Sequence, residues 1–147
     1  MNGSPVVIDA SIALHWLLPA PLSGASWSLF ERTAKEGNRI TAPSLLVYEV
    51  VSGLTKAIYL QDLSPDKAYK SLVQLFTLNT QLVDADELLS ERALDWTLRL
   101  RRTAAYDSYY LALAELLNCQ FWTADRKLYN AALEIKLNWV HWVEEAS

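Results

Sequence analysis

The stretch VVIDASIALHWLLPA, Val6–Ala20, decides how the chain is read. Val6 to Ile8 is short and wholly apolar, the pattern of a strand in a parallel sheet covered on both faces. A helix is expected to follow, to about Leu18. There Pro19 and Pro21 stop it, because proline lacks a backbone N–H and clashes with the preceding turn. At the joint stands Asp9, the only charged side chain between Met1 and Phe30. An ionised carboxylate in apolar surroundings is costly without a partner. No Lys or Arg is near in sequence, so the partner must come from elsewhere.

Outward from this stretch, strand and helix signals alternate. A second helix is expected from Ser23 to Lys35, closed by Gly37. Arg39 to Ala42 reads as a strand, and Pro43 suits the first turn of a helix running to about Leu60. Ser64-Pro65-Asp66 starts another helix, to about Leu75, and Gln81 to Val83 is strand-like. Asp84 is placed to cap a helix through Arg101, and a further helix covers about Ala105 to Leu117. Gln120 to Thr123 is a strand, Asp125 opens a last helix, and Trp139 to Val143 reads as a final strand. Strands alternating with helices predict a three-layer α/β domain with a mostly parallel sheet.

At 147 residues, one domain over 1–147 is expected. Apolar residues are 52% and charged residues 20%, a globular and not a disordered balance. The formal charge of −4 argues against non-specific DNA coating, which needs a dense basic surface. It leaves open a nucleic-acid enzyme, because bound divalent cations reverse the local field. One cysteine, Cys119, allows no intramolecular disulfide and argues against a thiolate zinc cluster. The start MNGSPVVID lacks the basic residues of a signal peptide, and no run is uniformly apolar enough for a membrane span. The expectation is a soluble, cytoplasmic protein with no membrane partner.

The informative pattern is acids in apolar settings. Besides Asp9, Glu49 is the only charge between Thr41 and Thr55. Its helix is apolar nearly all round and should be buried. Leu45, Leu46, Ser52 and Gly53 share its face, and the small pair leaves room for something to approach. Asp107 is the only charge between Thr103 and Ala114, and Asp125 follows nine uncharged residues at the end of a strand. Sites in parallel α/β sheets form at the carboxyl ends of strands. Four carboxylates meeting in one cleft are tolerable only if partly protonated or holding cations. Oxygen ligands without His or Cys suit Mg²⁺ or Mn²⁺. One or two such ions would activate a water against a phosphodiester and stabilise the leaving oxygen.

A blander account stands beside this one. Asp9 and Asp125 are well placed as helix caps, and Asp107 complements a helix dipole. Glu49 fits that account least, because buried mid-helix Glu without a partner is rare. Arg101, Arg102, Arg126 and Lys127 flank the last two acids; they either hold substrate phosphates or are solvated helix ends. The tryptophans are expected in the core or a dimer interface rather than stacked on bases. His15 and His141 are expected to be satisfied or at the surface, and Cys119 to act as a small buried hydrophobe.

Four blocks carry a family: VVIDASIALHWLLP, YEVVSGL, YDSYYLALAE and TADRKLYNA. In order and spacing they resemble the motif regions of PIN domains, and most of all the VapC-like toxin ribonucleases of toxin–antitoxin pairs. The resemblance spans Val6 to Ala131. It implies an α/β/α sandwich and makes Asp9, Glu49, Asp107 and Asp125 the metal-binding, catalytic acids. Ser11 and Thr123 match supporting hydroxyl positions. The implied activity is Mg²⁺- or Mn²⁺-dependent cleavage of single-stranded or looped RNA. The implied partners are a small antitoxin, which inserts a basic side chain into the acid cluster, and a second copy in a homodimer.

Other classes fit less well. A receiver-type signalling domain needs an adjacent acidic pair near the first strand, where VVIDAS has one acid. An aspartyl phosphatase needs a second acid two residues on, where Ser11 stands. A non-catalytic RNA-binding or scaffold PIN domain usually involves lost acids, and here all four remain.

Overall fold

A computed structural model describes residues 3–146. The strands are β1 Pro5–Ile8, β2 Arg39–Pro43, β3 Gln81–Val83, β4 Phe121–Thr123 and β5 Val140–Trp142. The helices are α1 Ala10–Leu17, α2 Ser23–Lys35, α3 Leu45–Tyr59, α4 Pro65–Thr77, α5 Glu87–Arg99, α6 Tyr106–Leu117 and α7 Arg126–Glu134. A single 3₁₀ turn, Val143–Ala146, follows β5. The sheet order is β3-β2-β1-β4-β5, and every pairing is parallel. Among the described residues no helix is long and apolar enough to cross a membrane.

Adjacent strand residues point to opposite faces, and β4 shows both layers. Phe121 stacks on Tyr110 of α6, with ring centroids 6.2 Å apart. Trp122 turns the other way, under the Arg32 guanidinium of α2 at 4.9 Å. The sheet is thus covered on both sides, as the apolar run Val6–Ile8 requires. Val7 and Ile8 are wholly buried.

Most expected elements fall within a residue or two of their positions, and Gly37 does close α2, with φ +74°. The differences have local causes. Pro43 ends β2, paired with Val83, and does not start a helix. Asp86, not Asp84, caps α5 by accepting from the Leu89 N–H at 2.8 Å. Asp84 instead accepts from the Ser44 hydroxyl. The helix stops at Arg99, because Arg101 adopts φ +54°. That left-handed residue closes paired cap bonds, Arg101 N–H to Leu98 O at 3.2 Å and Arg102 N–H to Thr97 O at 3.1 Å. The helix α3 buries only one face, through Leu46, Val50, Leu54 and Ala57. Tyr48, Val51 and Tyr59 stay exposed. The room at Gly53 is taken by Leu14 of α1, whose Cδ1 lies 2.5 Å from where a Cβ would stand.

Four tryptophans, Trp16, Trp96, Trp122 and Trp142, belong to the buried core, with Trp27 and Trp139 packed against it. His15 bonds the Ser11 carbonyl at 2.6 Å, and His141 pairs with Glu145 at 3.3 Å. Cys119 is partly buried against the core.

Candidate active site

The strand order reverses between β1 and β4, so their carboxyl ends border a crevice. Register does the rest. Ile8 pairs with Trp122, so the next residues, Asp9 and Thr123, stand side by side although 114 positions apart. Thr123 Oγ1 donates to Asp9 Oδ2 at 2.5 Å, and Ser11 Oγ donates to Asp9 Oδ1 at 2.5 Å. The Ile12 N–H adds a third bond to Oδ1 at 3.2 Å, so Asp9 does cap α1. The hydroxyls are themselves fixed: Ser11 Oγ accepts from the Ala124 N–H at 2.9 Å, and Thr123 Oγ1 from the Asp125 N–H at 3.0 Å. Asp9 is only 4% exposed. Burial pushes its carboxyl from 3.8 up to about 7; the bonds from Ser11, Thr123 and Ile12 act against this, and repulsion from Asp107 adds to it.

Glu49, in the second turn of α3, accepts from the Tyr110 hydroxyl at 2.6 Å. Burial raises its pKa first; the Tyr110 bond opposes that and Asp107 reinforces it. Tyr110 is completely buried. It was not singled out from the sequence, although it lies three residues after Asp107 and so on the same helical face.

Asp107, in the first turn of α6, is bound by Arg102 at 3.1 Å. Its pKa is raised by burial and then by Asp125, while Arg102 pulls it down. Asp125 caps α7: its Oδ1 accepts from the N–H groups of Lys127 at 2.9 Å and Leu128 at 3.2 Å.

The basic residues divide. Arg101 and Arg102 line a cleft of about 350 Å³ with Thr103, Ala104, Tyr106, Glu49 and Asp107. Arg126 lies over the Trp142 ring at 3.8 Å, and neither it nor Lys127 lines that cleft.

Repulsion therefore links Asp9 to Asp107, Glu49 to Asp107 and Asp107 to Asp125. Asp107 is the hub. Among the described residues, no three His, Cys, Asp or Glu side chains stand close enough to enclose an ion. The donor set still fits a hard cation. All the donors are oxygens, and Mg²⁺ is ordinarily held by one or two carboxylates with several waters kept. The charge now carried at a cost by Asp9, buried with no cation bonded to it, is the charge such an ion would match.

The profile of the PIN domain family matches residues 6–134. The chain belongs to the PIN domain family. Its fold is shared with VapBC2 from Rickettsia felis, solved bound to a DNA fragment from their promoter: TM-score 0.68 and 15% identity over 94% of this chain and 98% of that one. PAE2754 from Pyrobaculum aerophilum gives TM-score 0.68 and 22% identity over 97% and 93% of the two chains. The sarcin-ricin loop cleaving toxin VapC20 of Mycobacterium tuberculosis gives TM-score 0.59 and 12% identity over 81% and 87%. A comparison with curated proteins finds no match. At these identities the likeness shows a common fold, and this PIN domain has VapC-type structural neighbours.

Proposed function

We propose that this PIN domain is a Mg²⁺- or Mn²⁺-dependent endoribonuclease, the toxin of a toxin–antitoxin pair, acting as one cytoplasmic domain over 1–147. The observation that carries the reading is Asp9, 4% exposed and held by Ser11, Thr123 and the Ile12 N–H at the switch point of the sheet, with Asp107 near enough to act on Asp9, Glu49 and Asp125 alike. Among the described residues, only Asp107 of these has a protein cation bonded to it, Arg102. A structural network would more cheaply contain fewer charges, since unpaired carboxylates in a low dielectric are expensive.

In this reading the four carboxylates hold one or two ions. A bound divalent ion lowers the pKa of water and stabilises a leaving oxygen. The chain's own residues do the positioning. Ser11 and Thr123 fix both oxygens of Asp9, and the Tyr110 hydroxyl fixes Glu49. Each has a hydrogen bond that holds the carboxylate in one rotamer, so little reorganisation remains when substrate arrives. Arg102, lying at Asp107, is placed to transfer its guanidinium to a phosphate once a cation takes that carboxylate. Arg101 shares the cleft. A cognate antitoxin supplies a basic side chain to the same cleft, and the protein works as a homodimer.

The test is incubation of the purified protein with pooled cellular RNA in Mg²⁺, Mn²⁺ or EDTA, beside Asp107→Asn. Metal-dependent cuts at discrete sites, lost in the variant, are expected. Neither cleavage nor Mn²⁺ binding by calorimetry would return the acids to their role as caps.

A further inference from the structure

Two tyrosines stand immediately before site acids, in Tyr48-Glu49 and Tyr106-Asp107. One helical step from each carboxylate, both side chains are turned outward: Tyr48 is 70% and Tyr106 61% exposed. A single exposed aromatic needs no explanation. These two line the same cleft of about 390 Å³, with Leu45, Ser52 and Glu49. Ser52 lies three residues from Glu49 and four from Tyr48, so it belongs to the face between them. This cleft and the one lined by Arg101 and Arg102 share Glu49 and Tyr106. Glu49 and Tyr106 thus stand where a cleft lined by two cations meets one lined by a second aromatic ring, Tyr48.

We propose that the Tyr48–Tyr106 cleft binds an unpaired nucleobase of the RNA by stacking. The assignment rests on the ribonuclease reading and names the side chains that would hold a base of its substrate. Every base has a π-face, so two ring walls accept any base without reading its sequence. A base within a duplex is stacked on its neighbours and cannot enter, so the cleft selects single-stranded or looped RNA. The separation of chemistry matches a nucleotide. Its phosphate meets the guanidinium groups of Arg101 and Arg102, its base meets the rings, and Ser52 offers a hydroxyl to a base edge.

The probe is a fluorescein-labelled oligoadenylate about twelve nucleotides long, within the range of single-strand site sizes. Anisotropy is followed in Mg²⁺ with the full chain in an Asp107→Asn background, so that the probe is not consumed. Tyr48→Ala and Tyr106→Ala are each expected to weaken binding about tenfold, the scale of one lost base stack. Tyr48→Phe keeps its ring and is expected to bind within about twofold of the parent. The probe annealed to its complement is expected to bind at least about tenfold more weakly. Unchanged affinity in both Ala variants, or no binding of the probe by the parent, overturns the proposal. So does a loss of affinity accompanied by a change from dimer to monomer in sedimentation, which would make this face an interface between copies. Cleavage of pooled RNA by the unmutated chain separates the two ideas. If cleavage persists while stacking fails, only the cleft assignment falls; if there is no cleavage in any metal, the nuclease reading falls first.

Discussion

Replacing Asp9 by Asn should make the metal-free protein more stable while removing its activity. The buried Asp9 carboxyl has its pKa raised from 3.8 to about 7. A folded-state value above the unfolded one has a definite sign. Below about pH 3.8 both states hold the proton and no stability is lost; as pH rises towards 7 the unfolded chain releases it first, and stability falls. The gap is about three pKa units at about 1.36 kcal/mol each, so up to about 4 kcal/mol is lost by pH 8. Asn has nearly the same shape and keeps the bonds that matter. Its Oδ1 accepts from Ser11 and Ile12 as before, and its Nδ2 donates to the second lone pair of Thr123 Oγ1, whose own O–H must then turn from Asp9, as it must when the Asp9 carboxyl is protonated. Glu49 and Asp107 are raised in pKa too, but they are present in both proteins and largely cancel in the comparison.

Urea denaturation in EDTA at about pH 4 and pH 8 reads this directly. The two proteins should be nearly equal at the lower pH. At the higher pH the variant should lead by up to about 4 kcal/mol, or roughly 10 °C in Tm for a chain of this size. Added Mn²⁺ should then stabilise the unmutated protein more than the variant, because only the former gains a partner for its buried charge. An Asp9→Asn protein that is less stable than its parent at pH 8 without metal would refute the reasoning. It would mean that the ionised carboxylate is a net stabiliser of α1, and that no cation is needed to explain it.

Three further outcomes are expected. Tyr110→Phe deletes one hydroxyl in a site that is otherwise filled; stability should fall by about 1 kcal/mol, and kcat for RNA cleavage should fall with KM little changed, in steady-state assays. Arg102→Gln removes the guanidinium bound to Asp107; Mn²⁺ affinity by calorimetry should rise several-fold while RNA affinity drops, with under about 1 kcal/mol lost from so accessible a pair. Arg101→Gly places the preferred residue at a left-handed position with φ +54°; thermal melts should show a gain of up to about 1 kcal/mol, and the RNA cleft should lose a cation and bind more weakly.

What was legible in the sequence was local. A charge set alone in an apolar run is visible without a structure, and Asp9, Glu49, Asp107 and Asp125 stand out that way. Alternating patterns gave the strands and helices because burial on two faces leaves an unmistakable composition in β1. The strand order was not legible. Asp9 meets Thr123 only because β1 lies beside β4, and nothing near either residue encodes that pairing. Local ambiguity explains the smaller errors. The run Asp84-Ala85-Asp86 offers two caps, and the choice falls to Asp86 because Asp84 is held by Ser44. Arginine is an unusual residue for a left-handed helix end, so the early stop of α5 carried no sequence signal. Tyr110 was legible in principle, three residues from Asp107, but in an apolar helix it reads as core. It is in fact both core and hydrogen-bond donor.

The capping reading and the metal reading of these acids are not rivals. Asp125 spends Oδ1 on the Lys127 and Leu128 N–H groups, which leaves Oδ2 outside the cap. Asp9 uses both oxygens, yet Oδ2 accepts a single bond, from Thr123, and retains a lone pair. A cap fixes the rotamer of a carboxylate with one oxygen and thereby aims the other. Both acids stand just past the carboxyl ends of β1 and β4, and Asp107 is close enough to each to raise the cost of its charge. A short helix that begins just after a strand therefore does two things with one side chain: it satisfies its own first N–H groups, and it presents an oriented acid at the switch point of the sheet. The cost is the high pKa of Asp9, which a cap in open solvent would not carry. That surplus cost is what capping alone leaves unexplained, and it is what the Asp9→Asn titration measures.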